Sequence, residues 1–124
     1  MTGPEREYAD YLRDILDAAG KAGEFVGEMD AAAFEADDKT VFAVIRALEI
    51  VGEAAKRVPP SIQKRYPNVP WRQMMGMRDK VIHSYFGVNL RRVFETVQQD
   101  LPPLRERIAS ILEELESGSP GGPT

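Results

Sequence analysis

Val41-Phe-Ala-Val-Ile-Arg-Ala-Leu-Glu-Ile-Val-Gly-Glu-Ala-Ala-Lys-Arg57 is the stretch that decides the fold. Val41, Val44/Ile45, Leu48, Val51 and Ala54/Ala55 recur at three- and four-residue steps, the period of a helix with one apolar face. Asp37 or Asp38 is placed to cap its start. Lys56 and Arg57 fall in the last turn, where cations suit the helix dipole. Pro59-Pro60 then stops it. Gly52 is out of place in so regular a helix. It costs roughly 1 kcal/mol against alanine, and close approach of a second helix is the expected reason.

The same period extends outward in both directions. Residues 5–24 place Tyr8, Tyr11/Leu12, Ile15/Leu16 and Ala19 on one stripe, with Gly20 and Gly23 weakening its end. Residues 30–36 and 60–66 read as short helices, and Pro67 and Pro70 frame a loop. Pro70 suits the first position of a helix carrying Trp71, Met74/Met75, Met77/Arg78 and Val81/Ile82. Gly87 breaks that helix, and Asn89 caps the next, with Leu90, Val93/Phe94 and Val97. Asp100-Leu-Pro-Pro103 starts or kinks a last helix through Leu104, Ile108, Ile111/Leu112 and Leu115. No segment alternates as a strand does. The expected fold is all-α: an antiparallel bundle of four main helices plus short ones. It forms a single domain over residues 1–116, followed by a disordered Ser/Gly/Pro tail over 117–124.

Composition narrows the chemistry. A chain of 124 residues, 43% hydrophobic and 29% charged, is long enough for one real core. There are no cysteines and one histidine. That excludes disulfides and thiol nucleophiles, and leaves too few ligands for a zinc site within one chain. No metal and no cofactor are expected. No run approaches a membrane span, and the first residues do not resemble a signal peptide, so the expected location is cytoplasmic.

The net charge of −4 conceals a segregation. Residues 1–55 carry 5 basic and 13 acidic side chains; residues 93–124 carry 2 and 6. Between them, residues 56–92 carry 9 basic side chains and a single acidic one, Asp79. A local basic block draws a phosphate backbone to one place on an otherwise acidic protein. A solvated surface paired with the acidic helices is the alternative reading.

The block contains Arg78-Asp-Lys-Val-Ile-His-Ser-Tyr85, with the sole histidine. His83 is the side chain whose ordinary pKa lies near neutrality. Arg78 offers a planar fork that matches a phosphate. In RNA, such a histidine takes the 2′-hydroxyl proton or protonates the leaving oxygen, while the arginine holds the phosphate. Arg78 and Tyr85 share a helix face, but His83 points about 140° away on an ideal helix. Convergence therefore needs an early helix end or a second subunit. Arg46, Glu49 and Glu53 share one polar face of the preceding long helix. They either line a cleft beside His83 or form exposed ion pairs of little weight. Asp79, Lys80 and Arg72 complete the candidate supporting and RNA-binding set. Tyr66 reads as a loop anchor, with base stacking as the alternative.

Arg46-Ala-Leu-Glu-Ile-Val-Gly-Glu-Ala-Ala-Lys-Arg57, Pro70-Trp-Arg72, Gly76-Met-Arg-Asp-Lys-Val-Ile-His-Ser-Tyr-Phe-Gly-Val88 and Asp100-Leu-Pro-Pro-Leu104, in this order and spacing, resemble the HepT family of the HEPN superfamily. The likeness covers roughly residues 5–116. It implies a HEPN-type helical bundle that homodimerises, with the motifs of both subunits at a shared cleft. It further implies a toxin of a type II toxin–antitoxin pair that acts as a metal-independent ribonuclease on RNA. Arg78 and His83 match its catalytic positions, and Asp79 the polar residue that follows the arginine. Tyr85 matches the tyrosine to which an MntA-type minimal nucleotidyltransferase antitoxin adds AMP. A non-catalytic helical module that binds a nucleotide or partner in a nucleotidyltransferase complex is the alternative.

Overall fold

The computed structural model describes residues 4–78 and 89–117, and for residues 4–7 and 117 the backbone alone. Seven helices occur among these residues: α1 (Pro4–Val26), α2 (Ala31–Ala36), α3 (Asp38–Arg57), α4 (Pro60–Arg65), α5 (residues 71–78), α6 (Leu90–Glu95) and α7 (Leu101–Ser117). No strand is present among the described residues. The expected break at Gly87 and residues 118–124 of the expected 117–124 tail lie outside them, while Ser117 ends α7.

Each boundary has a local cause. Asp30 Oδ1 accepts from the Ala33 N–H at 2.8 Å and starts α2; Asp37 Oδ1 accepts from Thr40 N–H at 3.0 Å and starts α3. Asn89 Oδ1 does the same for Arg92 N–H at 3.1 Å, as expected. α1 runs through Gly20 and Gly23, as expected, and two residues past the expected end at 24, because Ala18, Ala19, Ala22 and Val26 stay buried and hold it. It stops at Gly27, whose φ of +53° only glycine adopts cheaply; the Gly27 N–H closes the last turn on the Gly23 carbonyl. Pro70 stands one position before α5 rather than inside it, its carbonyl accepting from Met74 N–H.

Asp100-Leu-Pro-Pro103 starts the last helix, as expected, but with no loop before it. α6 passes into α7 through a single π turn at Thr96–Asp100, with Leu101 N–H reaching back to the Thr96 carbonyl. Pro102 and Pro103 donate no backbone bond, and their rings would press on carbonyls four residues earlier. The wider turn accommodates them, and exposed Gln98 and Gln99 leave those carbonyls to water.

The helices pack antiparallel. Arg13 of α1 pairs with Glu116 of α7 (3.1 Å), while Gly20, further along α1, faces Arg105, earlier in α7. Likewise the Arg57 guanidinium, at the end of α3, stacks 5.9 Å above the Tyr11 ring near the start of α1. One core joins them: Leu12 and Ile15 from α1, Val44, Leu48 and Val51 from α3, Met74 from α5, and Leu101, Leu104 and Ile108 from the α7 side. Trp71 and Met77 belong to it, so these residues of the basic block are packing. Tyr66 proves a loop anchor. Its hydroxyl donates to Glu114 Oε1 (2.6 Å) and its carbonyl accepts from the Trp71 indole (3.0 Å). Partial burial, followed by the Glu114 carboxylate, raises the Tyr66 hydroxyl pKa above its ordinary value.

α2 is only six residues long and is held by Phe34, which is fully buried and lies 5.7 Å from the Phe94 ring of α6. Phe34→Ala should cost about 3–5 kcal/mol in urea denaturation; a loss below ~1 kcal/mol would contradict this packing.

Candidate active site

α3 and α5 meet at a glycine. A Cβ built on Gly52 would lie 3.0 Å from Arg78 N, 3.1 Å from Arg78 Cβ and 3.2 Å from the Met74 carbonyl oxygen. These are backbone and near-backbone atoms that cannot swing aside. The expected close helix approach is therefore real, and what it approaches is Arg78 itself. With hydrogen at position 52, α3 lies directly against the segment that carries the arginine.

The next residue completes the contact. Glu53 Oε2 lies 3.9 Å from Arg78 Nε, and both side chains are well exposed (41% and 44%). At that exposure the pair adds little to stability. The nearest approach is on the Nε side and at ion-pair distance, without a hydrogen bond, so the terminal nitrogens of the guanidinium remain available to an anion. One turn earlier on α3, Arg46 Nη1 pairs with Glu49 Oε1 at 3.2 Å. Arg46, Glu49 and Glu53 thus do form a polar face on α3, and it reaches Arg78 at Glu53.

Arg72 is not brought to this point. It precedes Arg78 by six residues, about 120° around the helix, and lines a shallow cleft with Gln63, Pro70 and Gly76. Asp79, Lys80, His83 and Tyr85 lie outside the described residues. α5 is tethered on its other flank by Gln73, which donates to Asp100 Oδ2 at 3.4 Å. Among the described residues no group of three or more His, Cys, Asp or Glu side chains is arranged to hold a metal ion. No helix among them is long and apolar enough to cross a membrane.

Sequence reasoning found Gly52 and Glu53 separately and did not join them to Arg78. The available signal was their adjacency: a costly glycine followed by an acid, on the helix preceding the arginine.

The family model described as "Ribonuclease HepT-like" matches residues 15–111, a span containing both sides of this contact. The chain belongs to that family. It thereby falls in the HEPN superfamily, with which the all-α bundle agrees. A Thermococcus cleftensis protein named "Probable ribonuclease HepT" is 46% identical over 107 residues, covering 86% of this chain and 97% of its own length. The Methanocaldococcus jannaschii protein named "Putative RNase MJ0125" is 38% identical over 113 residues, covering 91% and 97%. No solved structure significantly matches the chain. Membership in this family supports an RNase function.

The glycine contact gives a test of sign. Alanine at an exposed helical glycine with free space is stabilising by up to ~1 kcal/mol. Gly23, whose built Cβ meets nothing within 4 Å, should behave that way. Gly52→Ala should instead destabilise by about 1–3 kcal/mol, since overpacking outweighs propensity. Thermal unfolding of the two variants side by side decides it. Equal stabilisation by both would show that α3 and α5 are not in contact at Gly52.

Proposed function

We propose that this protein is a metal-independent HEPN ribonuclease, the toxin of a type II toxin–antitoxin pair acting in the cytoplasm. The observation that carries the reading is the placement of Arg78. An exposed arginine is seated on a tight helix–helix contact, at the head of an Arg-x4-His-x-Tyr motif, in a chain of the HepT-like family.

The chemistry follows from the residue types. The 2′-hydroxyl of RNA attacks the adjacent phosphorus as the bond to the 5′-oxygen of the next nucleotide breaks. That leaves a 2′,3′-cyclic phosphate and a 5′-hydroxyl. His83 takes the 2′-hydroxyl proton or supplies one to the departing oxygen, and an imidazole near neutrality suits either role. Arg78 holds the phosphate through its fork and offsets charge that builds on the non-bridging oxygens. DNA lacks the attacking group. A second copy of the chain would bring its own motif to a shared cleft, which answers the roughly 140° separation of Arg78 and His83 on one helix. Asp79, Lys80 and Arg72 would support RNA binding at the margins.

Tyr85 is the proposed point of control. An MntA-type nucleotidyltransferase, bringing its own ATP and magnesium, would transfer AMP to Tyr85: the phenolic oxygen would lose its proton and bond the α-phosphorus as the α–β phosphoanhydride breaks and pyrophosphate leaves. The added phosphodiester is negative and the nucleoside bulky. Beside Arg78 it would occupy the place of RNA and oppose its charge.

RNA cleavage by wild type in EDTA, set against His83→Ala, tests the activity. Wild type should cleave and the variant should lose at least about a hundredfold. Equal cleavage by both would point to a contaminating nuclease and end the assignment, and harmless expression with no cleavage by either would favour the non-catalytic binding module. Co-expression with the nucleotidyltransferase should add whole AMP units to the chain. A modification that persists in Tyr85→Phe would remove Tyr85 from that role.

A further inference from the structure

We infer that Glu53 is a positioning residue for the proposed cleavage reaction, acting through Arg78 rather than on RNA. The inference rests on the ribonuclease reading and adds a residue whose work is done before substrate arrives. Three observations carry it. First, Glu53 is the only carboxylate among the described residues within ion-pair distance of Arg78, and it meets Nε rather than the terminal nitrogens. A carboxylate on the Nε side, at ion-pair rather than hydrogen-bond distance, biases the guanidinium so that its outer N–H groups face away and stay available to a phosphate. Second, Glu53 is kept free for this contact. The helical neighbour that would ordinarily neutralise it, Arg57 at i+4, stacks on Tyr11 instead. The acid one turn earlier, Glu49, is neutralised by Arg46 and does not compete for Arg78. Third, the preceding residue fixes the backbone of the same arginine. Gly52 lets α3 abut Arg78 N and Cβ, so the origin and the tip of this side chain are both referenced to α3.

A carboxylate near the phosphate site also repels RNA. At 3.9 Å from a guanidinium, however, its charge is largely offset by its partner. The expected signature is therefore loss of kcat with little change in KM, because a misaimed arginine still attracts phosphate but no longer meets the transition state.

The test is a double-mutant cycle with a second readout that needs no activity. Glu53→Ala should lower kcat in EDTA by roughly tenfold with KM nearly unchanged, and Glu53→Asp should recover part of the loss. In an Arg78→Lys background, which has no Nε, Glu53→Ala should cost nothing further. Independently, the heteronuclear NOE of the Arg78 Nε–Hε resonance should report an ordered side chain in the wild type and a mobile one in Glu53→Ala. Equal losses in both backgrounds, or an Arg78 resonance equally mobile with and without the Glu53 carboxylate, would overturn the inference. If His83→Ala cleaves as well as wild type, the ribonuclease reading fails instead, and the resonance alone decides whether Glu53 orders Arg78.

Discussion

The contact of α3 with α5 at Gly52 is the constraint on which the arrangement depends. Helices at ordinary separations leave room for side chains between them. Here the missing Cβ allows α3 to press on the backbone of Arg78. The apolar face of α3 simultaneously contributes Val44, Leu48 and Val51 to the core, so the position of Arg78 is referenced to the best-packed helix in the molecule. A functional arginine on a mobile support would waste binding energy in ordering itself. On a helix whose other face is core, the backbone and Cβ of Arg78 are placed by folding.

Charge is distributed to suit that arrangement. Several basic side chains are already paired, within a helix or across helices: Arg13 by Asp10 and Glu116, Lys21 by Asp17, Arg46 by Glu49, and Arg91 of the central block by Glu35. Most of these pairs are exposed and contribute little stability. Their larger effect is to cancel charge on the acidic helices. Arg78, like Arg13 and Arg91, is paired by an acid from another helix, but its acid directly follows the glycine on which its own backbone rests. An acidic protein can hold one phosphate site in this way without binding nucleic acid over its whole surface.

Much of this was legible in the residues. The period of α1, α3 and α7, the caps Asp37 and Asn89, and the stop at Pro59-Pro60 all follow from local rules that tertiary contacts did not override. Local rules failed where packing decided. The helix expected over residues 5–24, weakened at its end by Gly20 and Gly23, runs two residues further to Val26 on its buried neighbours. Asp100-Leu-Pro-Pro103 is expected to start or kink the last helix, and α7 does start at Leu101, but a π turn joins it to α6 without a loop, which no local rule announces. At the proposed site, the residue types of Arg78, His83 and Tyr85 suggest phosphate chemistry from the sequence alone. What periodicity could not give was which face of α3 meets which turn of α5. That pairing is a relation between helices, and only the glycine hinted at it.

The central claim is that this chain breaks RNA by turning its own 2′-hydroxyl on the phosphate that Arg78 holds. An oligoribonucleotide with one mapped cleavage site, compared with the same strand carrying a single 2′-deoxy nucleotide 5′ of the scissile bond, tests it most directly when incubated with the wild-type protein in EDTA. The account predicts a 2′,3′-cyclic phosphate at that site from the ribose strand and an intact bond in the deoxy strand. Cleavage of the deoxy strand at the same bond and rate, or a product ending in a 5′-phosphate, would contradict it.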